Sequence, residues 1–498
     1  MPTIDFYTAA QSRAIDRYAI ETQKQPGLLL MKRAAYFAYQ TLKETQPDAE
    51  KIVVLCGGGN NGGDGWVLAQ YALLEGRQVT AVLLGDETKI HGDALAALQE
   101  LKALGLSPTT FQSDRLQGAD IVVDAVFGTG LNQPVSGDFA EVFQQVNDAH
   151  KPVLAIDIPS GLHADTGHIL GTAIRASHTC TFITQKPGLY THMGPETAGK
   201  IHFSPLFLSR DSYQGLTPVA QNHSLKHWLG QRPPVTASSH KGRQGTVLLT
   251  GGNHHMMGAI QLAGLASLTS GAGLVKIVTQ PEHLVALTQA QPELMTYSQN
   301  DLTGLLPQTN AIGLGPGLGQ DDWAQALFQS ILTDEPSKST PKVLDADALN
   351  LLAKQPQTQP NWVLTPHPGE AARLLGTDTA DIQLDRFKAV VALQKRYGGV
   401  VVLKGNGTLV YDGKRMELCT AGNAGMAVGG MGDVLTGAIT SFLAQGMDLF
   451  EAACLGVSLH AHSGDVLANQ TSQAGVIPSD LALTMSQLLS YTQAQPNP

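Results

Sequence analysis

Short apolar runs alternate with segments of helical periodicity along the first part of the chain. The runs are KIVVLC (51–56), VTAVLL (79–84), ADIVVDAVFG (119–128) and PVLAIDIPSG (152–161). The segments between them predict helices near Trp66–Leu74, Asp93–Leu104 and Phe139–Asn147. Thr8 and Gln11 have the spacing of a capping box, which predicts a further helix that begins just after Thr8. Because runs that are apolar throughout are typical of strands covered on both faces, the pattern predicts an α/β fold with a parallel sheet.

The pattern lapses between about 209 and 240, where Pro, Ser and Gln become frequent, and a second series of strands and helices then begins. This series contains GTVLLTGG (245–252), GLVKIVT (273–279), NAIGLGPGLG (310–319), KVLDADALNLL (342–352), WVLTPHPGEAARLL (362–375), VVVLKGNGTLVY (400–411) and AGNAGMAVGGMGDVLTGAI (421–439). We therefore predict two α/β domains, 1–215 and 223–498, joined by a linker at 216–222.

Composition and charge exclude several classes of partner. Charged residues make up 15% of the chain and the formal net charge is −10, without a long Lys/Arg block, so we expect no nucleic acid partner. No apolar stretch approaches the ~20 residues that span a bilayer, and the N-terminus lacks a signal-peptide pattern. The four cysteines, Cys56, Cys180, Cys419 and Cys454, form no CxxC pair, as is typical of reduced and buried thiols. We expect a cytoplasmic protein without a membrane partner.

The first candidate site is the segment GGGNNGGDG (57–65), which follows directly on an apolar strand. It contains the dinucleotide fingerprint Gly57-x-Gly59-x-x-Gly62, whose backbone N–H groups favour a phosphate at the start of a helix. Asp86, after the next strand, is a candidate ribose-binding acid, so a nicotinamide dehydrogenase is one interpretation. Against it, the segment offers no catalytic His or Tyr-x-x-x-Lys pair.

Oxygen-bearing side chains follow three of the predicted strands. They are Asn61, Asp64, Asp124, Asp157 and Ser160. Because the carboxyl ends of parallel strands meet at one edge of a sheet, we expect these groups to lie close together. Amide, carboxylate and hydroxyl oxygens are ligands for alkali and alkaline-earth cations. The alternative, in which Asp124 and Asp157 only cap turns, stays open at this point.

The second candidate site is GGMGDVLTG (429–437), where glycines lead into an apolar helix with Asp433 in its first turn. Backbone amides at such a helix start stabilise the charge that develops in phosphoryl transfer, and a carboxylate beside them can orient or deprotonate an attacking hydroxyl. An acid in the first turn of a helix is also a favourable dipole contact without any catalytic role. The repeated glycine, which lets a ligand approach the backbone, favours the catalytic interpretation.

Three further segments fit either a structural or a functional role. LKGNGT (403–408) is either a hairpin turn or a loop that gives Lys404 and its amides to a nucleotide phosphate. His367 stands between two prolines in TPHPGE, and a lone His is usually structural. Asp345 and Asp347 in LDADALN are either turn residues or members of the same cleft.

Taken together, these motifs identify a family. GGGNNGGDG, VDAVFGTGL and IDIPSGLHADTG resemble the NAD(P)H-hydrate epimerase domain. HKGRQGTVLLTGG, GLGPGLG, TPHPGEAARLL, LKGNGT and GNAGMAVGGMGDVLTG resemble the ADP-dependent NAD(P)H-hydrate dehydratases of the ribokinase-like group. The resemblance covers nearly the whole chain, in the order found in the bifunctional bacterial repair enzymes. It implies a Rossmann-like three-layer N-terminal domain and a ribokinase-like C-terminal domain.

The resemblance also implies roles for residues of the N-terminal domain. Asp157 is expected to be the acid/base of the epimerase. The expected contacts of the hydrated nucleotide are Asn60, Asn61, Gly62, Gly63, Asp64, Gly128, Thr129, Gly130, Leu131, Asn132, Gln133, Pro134 and Asp157. Potassium is expected at Asn61, Asp124 and Ser160, in agreement with the oxygen-rich strand ends, and Asp64 with the neighbouring glycines is expected to hold the phosphates.

In the C-terminal domain Asp433 is expected to be catalytic. The expected contacts of the hydrated nucleotide are Ala259, Gly317, His367 and Asp433. The expected contacts of the adenine nucleotide are Lys404, Gly405, Asn406, Gly407, Thr408 and Gly432. Magnesium is expected from the phosphoryl-transfer chemistry of the family.

The expected function is repair of hydrated NADH and NADPH (NADHX and NADPHX), as an isomerase that interconverts the R and S forms and a lyase that dehydrates the S form while ADP becomes AMP and phosphate. The expected partners are NADHX, NADPHX, ADP and further copies of the chain in a homo-oligomer. Two alternatives stay open: an oxidoreductase fused to a sugar-kinase-like domain, and a nucleotide sensor without catalysis.

Overall fold

The computed structural model describes residues 3–234, 236 and 240–490 of the chain. These residues form two compact units, one of residues 4–220 and one of residues 221–490 together with Thr3. The predicted linker, 216–222, ends in a short strand, Ala220–Asn222. The first two and last eight residues of the predicted domains lie outside the described residues.

The N-terminal unit alternates strands and helices along most of its length. Its elements are β1 (Ile4–Phe6), α1 (Ala9–Glu21), α2 (Gly27–Thr45), β2 (Lys51–Cys56), α3 (Asn60–Leu74), β3 (Gln78–Leu83), α4 (Gly92–Ala103), α5 (Asp114–Gln117), β4 (Ile121–Ala125), α6 (Asp138–Asp148), β5 (Val153–Ile156), β6 (His178–Phe182), α7 (Gly194–Ala198) and β7 (Lys200–Ser204). The side chain of Thr8 accepts a hydrogen bond from the backbone N–H of Gln11 and the reciprocal bond is also present, which confirms the predicted capping box before α1.

Six strands of this unit form one sheet in the order β3-β2-β4-β5-β6-β7, and every neighbouring pair is parallel. Successive residues of a strand point to opposite faces. On β2, Val54 and Cys56 therefore join a core formed with α2, α3 and α4, whereas Val53 and Leu55 join a core formed with α6. The predicted parallel sheet with both faces covered is confirmed as a three-layer arrangement.

The Gly-rich segment after β2 differs from the sequence prediction. It was expected to be a loop before a helix near Trp66, but α3 already begins at Asn60, so Asn61 and Asp64 lie in its first turns. Glycine makes this possible: a β-carbon on Gly62 would lie 1.9 Å from the carbonyl oxygen of Gly57, and one on Gly65 would lie 2.6 Å from the side chains of Cys56 and Ala125. The glycines therefore bring the start of the helix against the ends of two strands.

The C-terminal unit continues the alternation. Its elements are β8 (Ala220–Asn222), α8 (Leu225–Leu229), β9 (Thr246–Thr250), α9 (Met257–Thr269), β10 (Leu274–Val278), α10 (Leu284–Ala290), β11 (Leu294–Tyr297), α11 (Leu302–Leu305), β12 (Ala311–Leu314), α12 (Asp322–Thr333), β13 (Lys342–Leu344), α13 (Ala346–Lys354), β14 (Trp362–Leu364), α14 (Pro368–Leu375), α15 (Thr379–Leu384), α16 (Arg386–Tyr397), β15 (Val400–Leu403), β16 (Thr408–Tyr411), β17 (Met416–Cys419), α17 (Met431–Ala444), α18 (Leu449–Gln470) and α19 (Pro478–Leu489).

The strands of this unit form a sheet in the order β8-β17-β16-β15-β14-β13-β12-β9-β10-β11. All neighbouring pairs are parallel except those of β16, which is antiparallel to both β15 and β17. Helices α9, α17, α18 and α19 pack against one another and contribute to one hydrophobic core. Helix α17 lies very close to α9, since a β-carbon on Gly437 would lie 2.1 Å from the carbonyl oxygen of Ala263.

Two predictions about the chain as a whole can be compared with the structure. None of the described helices is long and apolar enough to cross a membrane. The four cysteines are unpaired and buried, as the sequence predicted.

Candidate active sites

The first candidate site is a cavity of about 700 Å³ in the N-terminal unit, beyond the carboxyl ends of β2, β4 and β5. Its lining includes Asn60, Asn61 and Asp64, every residue of 128–134, and Asp157. The cavity therefore brings together most positions that were expected to contact the hydrated nucleotide. Gly62 and Gly63 are instead buried within α3, where they support the helix rather than line the cavity.

Asp157 follows β5 and has a left-handed backbone, with φ at 65°. Its N–H donates to the carbonyl oxygen of Cys180 at 2.7 Å, and its carboxylate oxygen Oδ1 accepts a hydrogen bond from Lys186 Nζ at 2.6 Å. A β-carbon on Gly128 would lie 3.2 Å from the other oxygen, Oδ2. A non-glycine residue in this conformation is strained, and such strain is common at functional sites. Asp157 is therefore held with one carboxylate oxygen bound to a cation and the other beside the cavity wall.

Two more carboxyl groups share this cavity with Asp157. Burial, and then the charges of Asp157 and Asp16, raise the pKa of Asp64 well above its usual range. Burial, followed by the charge of Asp157, also raises the pKa of Asp16. In both cases Lys186 opposes the rise in pKa. The expected role of Asp64 at the substrate phosphates fits this environment only if its carboxyl group is neutral and donates a hydrogen bond.

The expected potassium ligands lie at the ends of β4 and β5 and the start of α3. Asp124 and Ser160 are fully buried, and the Ser160 N–H and hydroxyl donate to the Asp124 carboxylate at 2.7 and 2.6 Å. Burial raises the pKa of Asp124 to about 6 although the Ser160 hydrogen bonds oppose the rise. Asp124 also caps a turn by accepting from the Val126 N–H at 3.2 Å, so the two roles considered for it are compatible.

The side chain of Asn61 is relevant to the expected potassium ion. Its side-chain nitrogen and oxygen are both buried, and neither has a hydrogen-bond partner among the described residues. A buried polar group without a partner is costly, and a bound ion is one of the few explanations of such a group in a native protein. An amide oxygen with this geometry is a suitable ligand for K⁺, whose preferred donors are oxygen atoms. The donor set therefore fits the expected ion.

The second candidate site lies at the start of α17. Gly430, with φ at 99°, precedes the helix, and Asp433 occupies its first turn as predicted. A β-carbon on Gly432 would lie 3.3 Å from both Asp345 Oδ2 and Lys404 Nζ. Burial, and then the charge of Asp345, raise the pKa of Asp433 to about 7, while Lys404 opposes the rise. The first turn of α17 therefore contacts a buried ion pair, and Asp433 titrates near neutral pH.

Lys404 is the centre of that ion pair. Its Nζ lies 2.7 Å from Asp345 Oδ1 and 3.8 Å from Glu370 Oε2, and the Thr436 hydroxyl donates to Asp345 Oδ2 at 2.9 Å. Burial alone would raise the pKa of Asp345, but the attraction of Lys404 outweighs it and lowers that pKa below its usual value. Asp345, for which the sequence left two roles open, is thus the charge partner of Lys404 at the start of α17.

The segment LKGNGT forms the tip of a hairpin, since β15 and β16 are antiparallel with Leu403 opposite Leu409. The fully buried guanidinium of Arg386 donates to the carbonyl oxygens of Leu403, Lys404 and Gly407 at 3.1 to 3.3 Å. The hairpin interpretation is therefore right, and the turn also has an internal cation that fixes its shape. Because the Lys404 side chain reaches the start of α17, the hairpin tip and the helix start lie at one site.

His367 is the N-cap of α14. Its side-chain Nδ1 accepts a hydrogen bond from the Gly369 N–H at 3.0 Å, and its backbone N–H donates to the Glu370 carboxylate at 2.8 Å. The side chain is half exposed, and burial followed by the charges of Lys404 and Arg373 lowers its pKa. The imidazole is thus held in place by capping a helix, with an exposed part left for a ligand.

The two remaining expected substrate contacts are neighbours. Gly317, with φ at 58°, follows β12, and a β-carbon on it would lie 3.1 Å from the Ala259 side chain. Asp347 Oδ2 accepts a hydrogen bond from the Gly319 N–H at 2.9 Å, so this acid secures the GLGPGLG loop.

Several residues of the two sites were missed by sequence reasoning. Lys186, Asp16 and Arg386 stand outside the motifs of the sequence, and Glu370 lies in TPHPGE, where only His367 was considered. Of these four, Lys186 follows a strand in the way that the other site residues do. The proposed ribose acid, Asp86, is exposed and caps a short 3-10 turn by accepting from the Thr88 N–H.

Comparisons with known proteins match the two halves of the chain to two different families. Residues 247–487 match the family described as NAD(P)H-hydrate dehydratase, and residues 27–188 match the family described as YjeF-related protein N-terminus. Three named relatives are bifunctional NAD(P)H-hydrate repair enzymes. The one from Coxiella burnetii is 41% identical over 95% of this chain and 97% of its own length. The one from Escherichia coli is 42% identical over 93% and 89%, and the one from Leishmania infantum is 36% identical over 93% and 89%.

Two solved structures resemble about half of the chain. A ribokinase-like superfamily protein from Enterococcus faecalis is 30% identical, with a TM-score of 0.51 over 55% of this chain and 96% of its own. A hypothetical protein from Streptococcus mutans is 32% identical, with a TM-score of 0.50 over 54% and 98%. The predicted ribokinase-like fold is thereby confirmed.

Proposed function

Because the chain belongs to the family of bifunctional NAD(P)H-hydrate repair enzymes, we propose that each of its two candidate sites carries one of the two repair reactions. The chain is an epimerase and a dehydratase of hydrated nicotinamide nucleotides. The cavity in the N-terminal unit is the proposed epimerase site, and the cleft at the start of α17 is the proposed dehydratase site. The alternative of an oxidoreductase fused to a sugar-kinase-like domain is not favoured by relatives that are named as repair enzymes over nearly their full length.

The observation that supports the dehydratase site best is the environment of Asp433. Its pKa is raised to about 7, it lies in the first turn of α17, and Lys404 is beside that turn. A base is most effective when its pKa is near the working pH. Asp433 is therefore suited to accept the proton of a substrate hydroxyl, while the Lys404 ammonium and the helix amides stabilise the phosphoryl group that is transferred.

The proposed dehydration turns a poor leaving group into a good one. Asp433 accepts the proton of the C6 hydroxyl as that oxygen attacks the β-phosphorus of ADP, the bond between the phosphorus and the bridging oxygen breaks, and AMP leaves. The C6–O bond then breaks with release of phosphate as the electron pair of the ring nitrogen forms the iminium. Loss of the C5 proton gives the double bond of NADH. The reaction consumes one ADP and produces AMP, phosphate and NADH, with ADP rather than ATP as part of the proposal.

The proposed epimerisation breaks and remakes the C6–O bond. The ring nitrogen expels the hydroxyl group as water, with a proton supplied by a neutral carboxyl group of the cavity. Water then adds to the opposite face of the iminium, and Asp157 accepts its proton. Asp64, whose pKa is raised, is suited to the first role, which in this proposal takes the place of a contact with the substrate phosphates. Proton return from Asp157 to Asp64 through water completes the cycle.

The two proposed ions, K⁺ and Mg²⁺, would be held by different kinds of ligand. Asn61, Asp124 and Ser160 would hold K⁺, which supplies a fixed positive charge that keeps three strand ends in register. The described residues contain no cluster of three or more His, Cys, Asp or Glu side chains suited to a metal. Mg²⁺ in the dehydratase cleft would therefore be held largely by diphosphate oxygens, as is common for this ion. The homo-oligomer and the cytoplasmic location stay predictions.

The experiment that tests this function follows the restoration of NADH. The purified protein receives either the pure S epimer or the pure R epimer of NADHX, with ADP, with ATP or without nucleotide. We expect NADH absorbance to return from the S epimer with ADP, and from the R epimer at a rate above spontaneous epimerisation. If no NADH returns with either nucleotide, while an alcohol is oxidised with NAD, the oxidoreductase alternative is correct.

A further inference from the structure

The cavity of the N-terminal unit contains a buried lysine that the sequence motifs did not single out. Lys186 lies four residues after β6, and its side chain is 1% exposed. Its ammonium group donates to Asp157 Oδ1 at 2.6 Å, to the Thr181 hydroxyl oxygen at 3.0 Å and to the Phe182 carbonyl oxygen at 2.7 Å. A lysine ammonium has three N–H donors, so this group is fully satisfied and fixed in one orientation.

The effect on Asp157 is to make its two carboxylate oxygens different. Oδ1 is bound to Lys186, whereas Oδ2 lies beside Gly128, where a β-carbon would be only 3.2 Å away. Gly128 belongs to the cavity lining, so Oδ2 is the oxygen on the side of that lining. Without this anchor the carboxylate would keep the longer hydrogen bond that the Thr181 hydroxyl donates to Oδ1 at 3.4 Å, and it would be freer to rotate about its last bond.

Lys186 also balances a local excess of negative charge. Asp16, Asp64 and Asp93 line the same cavity as Asp157, and Arg13 is the other cation in the lining. Arg13 lies on the exposed surface of α1 and donates to the Thr129 carbonyl oxygen at 2.8 Å. Lys186, in contrast, is buried inside the unit. Its charge opposes the rise in the pKa of Asp16 and of Asp64 that burial causes.

We propose that Lys186 is a positioning residue of the epimerase: its buried ammonium group holds Asp157 by one carboxylate oxygen and leaves the other oxygen aimed at C6 of the hydrated ring. This inference rests on the proposed epimerase function of the cavity. It assigns to Lys186 no contact with the substrate. The lysine acts through Asp157, which accepts the proton of the adding water in a fixed geometry.

The test compares four variants in the full chain, with R and S epimers separated by chromatography in the absence of ADP. In Lys186→Met we expect kcat of epimerisation to fall about 100-fold, the loss typical of a misplacement of ~1 Å, with KM changed less than about threefold. The acid limb of the pH–rate profile moves to higher pH, because the cavity carboxyl groups lose their buried cation. Lys186→Arg keeps the charge, so its acid limb stays in place and part of kcat returns.

Arg77→Met is the matched control, since it removes a cation of the same unit that binds Glu50 and the Ala49 carbonyl oxygen outside the cavity. It should epimerise like the wild type. Dehydration of the pure S epimer with ADP checks the rest of the chain in every variant. The positioning role is refuted if Lys186→Met keeps kcat within threefold, or if kcat falls in both lysine variants with no change in the pH profile. If Lys186→Met does not fold, Lys186→Arg decides by its kinetics: a fall in kcat with KM changed less than about threefold supports the positioning role, and a wild-type kcat or a fall matched by an equal rise in KM refutes it. If Asp157→Asn epimerises as well as the wild type, the proposed function of the cavity is wrong instead.

Discussion

Replacement of Asp433 by Asn should abolish dehydration and at the same time stabilise the C-terminal unit. The carboxyl group has a pKa of about 7 in the folded protein, against 3.8 for an unperturbed Asp. A group with a raised pKa in the folded state destabilises that state above its unfolded pKa. The cost is absent below pH 3.8, grows as the pH rises toward 7 and is complete above 7.

The magnitude follows from the difference between these two pKa values. Since each tenfold change in a protonation constant corresponds to about 1.4 kcal/mol, the rise to about 7 sets an upper limit of about 4 kcal/mol above neutral pH. Partial exposure reduces this figure, so we expect Asp433→Asn to gain about 2 kcal/mol at pH 8. For a unit of this size, that gain is a rise in Tm of roughly 4–8 °C. At pH 4 the gain should nearly vanish, because the wild-type carboxyl group is then neutral.

The rate of dehydration should fall in Asp433→Asn although the stability of the protein rises. Loss of a general base typically lowers the rate by about 10²–10⁴-fold, and the amide cannot accept the hydroxyl proton. Dehydration of the S epimer with ADP measures this loss, and epimerisation in the same preparation should be unchanged. The matched control is Asp480→Asn, which removes an exposed acid from the first turn of α19. The reasoning is refuted if Asp433→Asn is less stable than the wild type at pH 8, or if it keeps more than a tenth of the dehydration rate.

Three further predictions concern other parts of the two sites. Asp157→Ala should lower epimerisation by about 10²–10⁴-fold while dehydration of supplied S epimer continues, and equal loss of both rates would contradict two separate sites. Asn61→Leu should remove any rise in Tm that KCl produces over choline chloride, because the buried amide oxygen of Asn61 accepts no hydrogen bond and is the proposed ligand of the ion; an unchanged KCl effect would exclude Asn61 as a ligand. Arg386→Met should raise KM for ADP at least tenfold, since hydrogen bonds from a charged donor contribute about 1.5–3 kcal/mol each, and unaltered ADP saturation would show that the hairpin tip keeps its shape without the guanidinium.

The sequence predicted the sheet and most strand ends because these depend on local patterns. Apolar runs marked β2, β4 and β5, and their shared carboxyl edge correctly brought Asp124 and Ser160 together although 36 residues separate them. The start of α3 was predicted several residues late, since glycine normally disfavours a helix and its role here is close packing against strand ends. At the start of α3, the low helix propensity of glycine was therefore outweighed by tertiary contacts that the sequence does not display.

Cations were harder to find than carboxylates. Lys186 and Arg386 have no partner nearby in sequence: Lys186 binds Asp157 from 29 residues away, and Arg386 binds carbonyl groups of a hairpin 17 to 21 residues further on. A lone Lys or Arg is usually a surface residue, so burial is the distinguishing fact, and it appears only in the folded chain. Sequence reasoning therefore found the carboxylates that lie in the two candidate sites but missed the buried cations beside them.

The two sites place a carboxylate beside a lysine for different chemical tasks. Both proposed reactions break the same C6–O bond, but an epimerase must return water to the ring whereas a dehydratase must not. In the cavity, Lys186 binds Asp157 directly at 2.6 Å, which fixes the orientation of the carboxylate that is proposed to face the returning water. In the cleft, Lys404 binds Asp345 at 2.7 Å instead, and Asp433 beside this pair has a pKa of about 7. That makes Asp433 a stronger base than a free carboxylate, as deprotonation of an alcohol requires, while phosphorylation makes the departure of the C6 oxygen irreversible. In the proposed mechanisms, the two sites thus differ in whether a lysine binds the reacting carboxylate or its neighbour.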